Sequence, residues 1–248
     1  MQADDRGVCA RMAGRALSDN PIGRGNNMEF YECLESRRSV RAFSAKKVER
    51  ETLLKILEAA NRSPSYMNTQ PWEVFVASGD KKEALAKTLY EEAASGTTPN
   101  PDLPFPKEWP ETLSRRSMDH RLRRFKALGV DPNDQEKVRQ GYLRNFQFYG
   151  APCVLFIGFE KSLAPWSVFD LGLFTGSLLL AIHDQGLGAV PQALTMAYPE
   201  LIRKELGIPS TISLLLSVPI GYPDPEAPVN QYRSTRKGQD EYIRWHMD

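Results

Sequence analysis

The chain has 248 residues, with 32 basic and 31 acidic side chains and a formal net charge of +1 at pH 7. That balance provides no sustained field for a nucleic-acid partner, and no apolar run reaches the roughly 20 residues that span a bilayer, so no membrane role is expected and the cytoplasm is the expected location. Cys9, Cys33 and Cys153 stand far apart with no CxxC pair, which excludes a disulfide framework and a structural zinc site.

Residues 1–27 scatter Arg6, Arg11, Arg15 and Arg24 among Gly, Asn and Asp. With so few large apolar groups they are expected to be a disordered leader, and Asp4, Asp5 and Asp19 are out of keeping with a transit peptide. Ordered patterning begins at Met28, and residues 28–248 are expected to form a single domain. Phe30 and Leu34 lie four apart on one helical face. The helix delivers the chain to Arg37-Arg38-Ser39-Val40-Arg41, three guanidinium groups and a hydroxyl within five residues. Such a cluster is either a solvated basic face or a cradle for a compact phosphate, whose oxygens match planar Arg forks.

Leu53, Ile56, Leu57 and Ala60 follow a 3.6 period across about 48–61, and Pro64 blocks continuation. The exit, Ser63-Pro64-Ser65-Tyr66-Met67-Asn68-Thr69-Gln70-Pro71-Trp72, is rich in hydroxyls and amides that suit a polar turn or a ligand's heteroatoms. Trp72–Ser78 reads as a strand, and Asp80 with Glu83 as the capped start of a helix through Leu85 and Leu89. Five prolines between Gly96 and Pro110 exclude a regular helix there. Leu103, Phe105 and Trp109 on that excursion either pin it to the body or form a rim over a site.

A basic helical stretch through Arg121 and Arg124 follows. Asp131-Pro132 reads as N-cap and first turn of a helix through Tyr142, Phe146 and Tyr149, stopped by Gly150. Pro152–Phe159 and Ile212–Gly221 are apolar runs of strand length, and Val168–Gln185 between them is apolar nearly all round, as in a buried helix. The order is that of an α+β fold. Gly186-Leu187-Gly188-Ala189-Val190-Pro191-Gln192 is either a plain helix stop or a turn that offers main-chain N–H groups with no sheet to occupy them. Pro199 starts a helix through Leu201, Ile202 and Leu206 that Gly207 ends. The tail carries Tyr232, Tyr242, Ile243 and Trp245, apolar enough to pack on something, and a second basic pair in Arg233-Ser234-Thr235-Arg236.

His120, His183 and His246 are scattered and give no metal site, and no GxSxG elbow or other nucleophile setting is present. If the chain is an enzyme, a cofactor supplies the chemistry. An RNA-binding role for the Arg cluster with nearby aromatics would require a steep salt dependence, and the charge balance speaks against it.

Taken together, RRSVRxF near the start, SPSxxNxQPW after it and a late GLGxxPQ resemble the FMN-dependent nitroreductase family, over roughly residues 28–240, and most closely its nitrobenzoate reductase-like branch. The resemblance implies a central mixed, mainly antiparallel sheet flanked by helices, in an intertwined homodimer with two FMN sites built from both chains and a C-terminal extension packed on the dimer partner. It implies that Arg37, Arg38, Ser39 and Arg41 grip the phosphate and ribityl chain or the flavin's pyrimidine edge, and that Arg236 and Arg233 close the phosphate pocket. Pro64, Ser65, Asn68 and Gln70 would reach across from the partner subunit, and Pro191 and Gln192 would lie against the ring. The sequence departs from many relatives at Ala193-Leu194, where a Glu-Gly pair is common. The implied activity is ping-pong hydride transfer from NAD(P)H to a nitroaromatic or similar small electron-poor aromatic, with no catalytic side chain assigned. Dehalogenation, azoline oxidation and non-catalytic FMN binding are the alternatives on the same fold.

Overall fold

The computed structural model describes residues 28–163 and 165–247, so the expected leader lies outside the described residues. Its helices are Phe30–Ser36 (α1), Arg50–Ala60 (α2), Gly79–Ser95 (α3), Glu111–Ala127 (α4), Gln135–Leu143 (α5), Trp166–Asp184 (α6), Pro199–Leu206 (α7) and Pro228–Gln231 (α8). Its strands are Glu73–Ser78 (β1), Cys153–Glu160 (β2), Gly188–Ala189 (β3) and Ile212–Gly221 (β4).

The strands form one antiparallel sheet in the order β1-β2-β4-β3. A parallel bridge between Ser39 and Ala189 adds the mixed edge. β2 is buried along nearly its whole length because both faces of the sheet are covered. Its alternate side chains separate into two cores, as a two-residue period requires. Cys153, Leu155, Ile157 and Phe159 pack with α2 and α6, through Leu53, Ile56, Leu171, Phe174 and Leu178. Val154 and Phe156 pack with α3 and α7, through Leu85, Leu89 and Ile202. Each fully buried side chain of this size contributes about 1.5–3 kcal/mol. Gly158 sits at a register shift between β2 and β4, where an added Cβ would lie 2.5 Å from the Ser213 carbonyl oxygen.

The expected elements are present, with local corrections. Trp72 precedes β1 instead of starting it; its indole donates to Asn61 Oδ1 at 2.9 Å and its ring stacks on Phe174. Ser78, without a side-chain cap bond, precedes α3, and Glu83 pairs with Lys82 instead of completing a cap. Asp131 closes a local turn through the Asn133 N–H, while Asp134 caps α5 by accepting from the Lys137 N–H at 3.1 Å. That helix stops at Leu143, short of Gly150. Phe146 and Phe148 are both fully buried two residues apart, which one helical face cannot deliver. The chain instead turns through left-handed Phe148 and Tyr149, at φ 52° and 55°.

α6 has 19 residues and is apolar enough to cross a membrane by length and composition. Here it packs on the sheet and α2, yet its outer face leaves Trp166 and Phe169 exposed at 63% and 59%. The uniform apolarity that suggested all-round burial therefore corresponds to one core face and one outward apolar face.

Candidate functional site

Beyond α1 the chain runs extended along the sheet edge. Val40 is buried and donates its N–H to the Ala189 carbonyl at 3.0 Å, and Ser44 donates to Tyr222 O at 2.9 Å. Side chains of an extended segment alternate, so with Val40 turned into the protein its neighbours Ser39 and Arg41 face the other way, where both line a cavity. The close approach needs Gly188: a Cβ there would meet Val40 Cγ2 at 2.5 Å.

The tail reaches the same edge through Asn230, which is fully buried. Its side-chain oxygen accepts the Arg41 N–H at 2.9 Å, and its side-chain nitrogen donates to Ala42 O and Asp224 O at 2.8 and 2.9 Å. This clamp brings Arg233 and Arg236 to the Arg37–Arg41 segment. Together they line one cavity of about 1010 Å³ with Ser39, the C-terminal part of the proline-rich excursion and one face of α4.

The electrostatics are lopsided. Among the described residues, Arg37, Arg38, Arg41, Arg233 and Arg236 have no carboxylate ion-pair partner. The Nε of Arg38 is buried without a hydrogen-bond acceptor among the described residues, and burial, then the neighbouring Arg233, push its guanidinium below the ordinary value. His120 of α4 also lines the cavity, and its Nδ1 lies 3.1 Å from the Tyr232 hydroxyl. Burial, followed by Arg124, Arg41 and Arg236, holds its imidazole below the ordinary value. A cluster of like charges converging on a cavity is costly unless an anion occupies it.

The segment 63–70 lies elsewhere. The Tyr66 N–H donates to buried Asp170 on α6 at 3.1 Å, and the Gln70 N–H to Ser65 Oγ at 2.9 Å. Met67, Asn68 and Gln70 adopt left-handed backbone at φ 51°, 56° and 48°. Pro64, Ser65, Asn68 and Gln70 line none of the cavity that holds the arginines.

The segment after β3 also differs from the expectation of unoccupied amides. The Gln192 N–H donates to Ser217 O at 2.8 Å and its carbonyl accepts from the Ser217 N–H, because the turn at Pro191 lays Gln192 antiparallel to β4. The Gln192 side chain is buried and donates to Asn145 at 3.2 Å, while Pro191 is exposed.

The proline-rich excursion is pinned at one end and open at the other. Asp102, with its side chain 9% exposed, pairs with buried Arg203 and accepts the Leu214 N–H at 2.8 Å, and Asn100 N–H donates to Ala197 O at 2.8 Å. Leu103 and Phe105 pack against the two cores, whereas Trp109 lines the cavity and stays 56% exposed. Both readings of this segment thus apply to different parts of it. Asn230, His120, Tyr232 and the cavity face of α4 are the site residues that sequence reasoning missed. The basic stretch around Arg121 and Arg124 was the one local signal for α4.

The family model described as Nitroreductase family matches residues 34–222. The chain is 35% identical over 214 residues to the nitroreductase NfnB of Mycolicibacterium smegmatis, covering 86% of this chain and 90% of that one. It is 28% identical over 223 residues to a 4-nitrobenzoate reductase of Nocardioides sp., covering 88% and 90%. Among solved structures, the FMN and NADPH-dependent nitroreductase NfnB from sphigopyxis sp. strain HMH superposes with a TM-score of 0.86 at 30% identity, covering 89% of this chain and all of that one. By profile, sequence and fold, this chain belongs to the nitroreductase family.

Proposed function

We propose that this protein is an FMN-dependent NAD(P)H oxidoreductase that reduces nitroaromatic or related electron-poor aromatic compounds. The observation that carries the reading is the convergence of Arg37, Arg38, Arg41, Arg233 and Arg236, without carboxylate partners, on one cavity. The orphaned Nε of Arg38 and the mutual repulsion of Arg38 and Arg233 fit a phosphate monoester at this place. The relatives named above are nitroreductases, and one solved neighbour is described as FMN and NADPH-dependent.

When bound, FMN supplies hydride transfer between the nicotinamide and the acceptor at one ring face. In this reading Arg37, Arg38, Ser39, Arg41, Arg233 and Arg236 hold the phosphate and the polar edge. Pro191 and Gln192, which lie outside the lining of the arginine cavity, would stand behind the ring, with Gln192 acting through the rigidity of its bonds to Ser217 and Asn145. No side chain is assigned to proton transfer, which water reaching an open site performs.

The protein acts as a homodimer in this reading, in the cytoplasm, where reduced nicotinamides are available. Exposed apolar groups on two helices support the dimer: Phe30 and Tyr31 on α1 at 60% and 76%, and Trp166 and Phe169 at the start of α6 at 63% and 59%. An apolar surface of this kind marks an interface. The turn bearing Pro64, Ser65, Asn68 and Gln70, held to α6 through Asp170, then serves the flavin of the partner subunit.

A visible spectrum of the purified protein, followed by anaerobic NADPH and then a nitroaromatic, tests the function. Flavin absorbance should bleach with NADPH and return with the acceptor, and initial-rate plots should be parallel. A protein that binds no FMN overturns the reading, and one whose bound flavin does not turn over is a binding protein instead.

A further inference from the structure

The cavity carries more positive charge than one phosphate accounts for. Eight Lys and Arg side chains line it against three carboxylates, Glu35, Asp119 and Glu241, and a phosphate monoester brings a charge of only about −1.5 to −2. The surplus is distributed over two walls. One is the Arg37–Arg41 segment with the tail; the other is α4, whose Leu113, Arg116, Ser117, His120 and Arg123 all line the cavity. They recur at spacings of three and four, so they share a helical face.

That second wall is amphipathic. Trp109 and Leu113 present apolar surface to the cavity, 56% and 39% exposed. Beside them, Arg123 is matched by Asp119 at 2.9 Å, but Arg116 reaches its only carboxylate among the described residues, Glu241, at 4.0 Å with both side chains about half exposed. The Nδ1 of His120 lies 3.1 Å from the Tyr232 hydroxyl, and its ring, one turn from Arg116, turns a polar edge to the same cavity.

Resting on the oxidoreductase reading above, we infer that the α4 wall is a specificity site that recognises an anionic substituent, a carboxylate or sulfonate, on the aromatic acceptor. Arg116 supplies the charge, His120 a polar ring edge beside it, and Trp109 with Leu113 the surface for the ring. The other anion that could use this wall is the 2′-phosphate of NADPH, and the two sources separate experimentally.

The test compares 4-nitrobenzoate with its methyl ester on the FMN-loaded enzyme. The ester is the more electron-poor ring, so intrinsic reactivity favours it, and a preference for the acid reports recognition of the charge. The acid-to-ester ratio of kcat/KM should favour the acid in the unaltered protein. It should fall by about tenfold or more in Arg116→Gln, as expected for a charge-assisted contact, mostly through KM, with partial recovery in Arg116→Lys. An unchanged ratio overturns the inference. So does a loss in Arg116→Gln confined to NADPH relative to NADH, which assigns the wall to the donor.

If neither compound is reduced, the proposed function fails separately. The anion site is then read by titrating 4-nitrobenzoate against the flavin absorbance. Tighter binding to the unaltered protein than to Arg116→Gln supports the site, and equal binding removes it.

Discussion

The side-chain oxygen of Asn230 accepts the main-chain N–H of Arg41 at 2.9 Å across 189 residues of sequence. The same carboxamide donates to Ala42 and Asp224, so one fully buried side chain joins the two basic segments. Asn230→Ala strands the Arg41 N–H and the Asp224 carbonyl, and leaves Ala42 O with the Asp224 N–H at 3.1 Å as its remaining donor. It should destabilise the fold by about 3 kcal/mol or more, measured by urea unfolding, and weaken FMN binding more than a destabilisation of equal size in the α3 core.

Gly188→Ala tests the close approach of the sheet edge. The new methyl would meet Val40 within van der Waals distance, and Val40 is buried and stiff at χ1. Overpacking of this kind costs about 1–3 kcal/mol. The expected outcome is a displaced Arg cluster, seen as reduced flavin content per chain with the sheet's circular-dichroism signal retained.

Arg38→Ala removes the guanidinium whose Nε has no partner among the described residues. A charge-assisted contact to phosphate is worth about 1.5–3 kcal/mol, so FMN should bind roughly tenfold to a hundredfold more weakly by fluorescence titration. Unchanged affinity would return Arg38 to the solvated surface.

Asp102→Ala breaks an ion pair buried on both sides, leaving Arg203 with only the exposed Glu200 carboxylate and the Leu214 N–H without its acceptor. Loss of one partner of a buried pair costs about 3–5 kcal/mol when the other is left uncompensated, and Glu200 at 2.7 Å places the expected loss at or below the lower end of that range. The excursion that carries Trp109 should become protease-sensitive around residues 97–110, checked by limited trypsin or thermolysin digestion followed by mass spectrometry.

His120 provides a pH signature. In the flavin-free protein its imidazole titrates below the ordinary value of 6.5, first through burial and then through Arg124, Arg41 and Arg236. Since the unfolded chain binds the proton more readily, this group's contribution to stability is complete above the ordinary value and is lost as pH falls through the lowered one. A phosphate dianion placed among Arg41 and Arg236 offsets part of that repulsion, so FMN should move the His120 titration upward in an NMR pH series. No movement would place the phosphate away from α4.

The strands Ile212–Gly221 and Pro152–Phe159, the helix that Pro199 starts and Gly207 ends, and the extent of the proline-rich excursion were legible because each is written in contiguous residues. Helix boundaries were less so. Asp131-Pro132 carries a good cap signature, yet Asp134 performs the capping, because the need to bury Phe146 and Phe148 together moves the helix. The two Arg segments were visible as charge clusters. Their meeting was not, since the residue that joins them is an ordinary Asn in a polar tail.

The sequence by itself determined the α+β element order, the family and the cationic character of the site, because periodicity, proline placement and short motifs act over a few residues. Only the tertiary structure decided which cations share a cavity, that the Gln192 amide is taken up by β4, and that His120 and Tyr232 meet across 112 residues. Those outcomes depend on which distant backbone groups find partners as the sheet edge closes, and a long-range hydrogen bond leaves no pattern in the local sequence on either side of it.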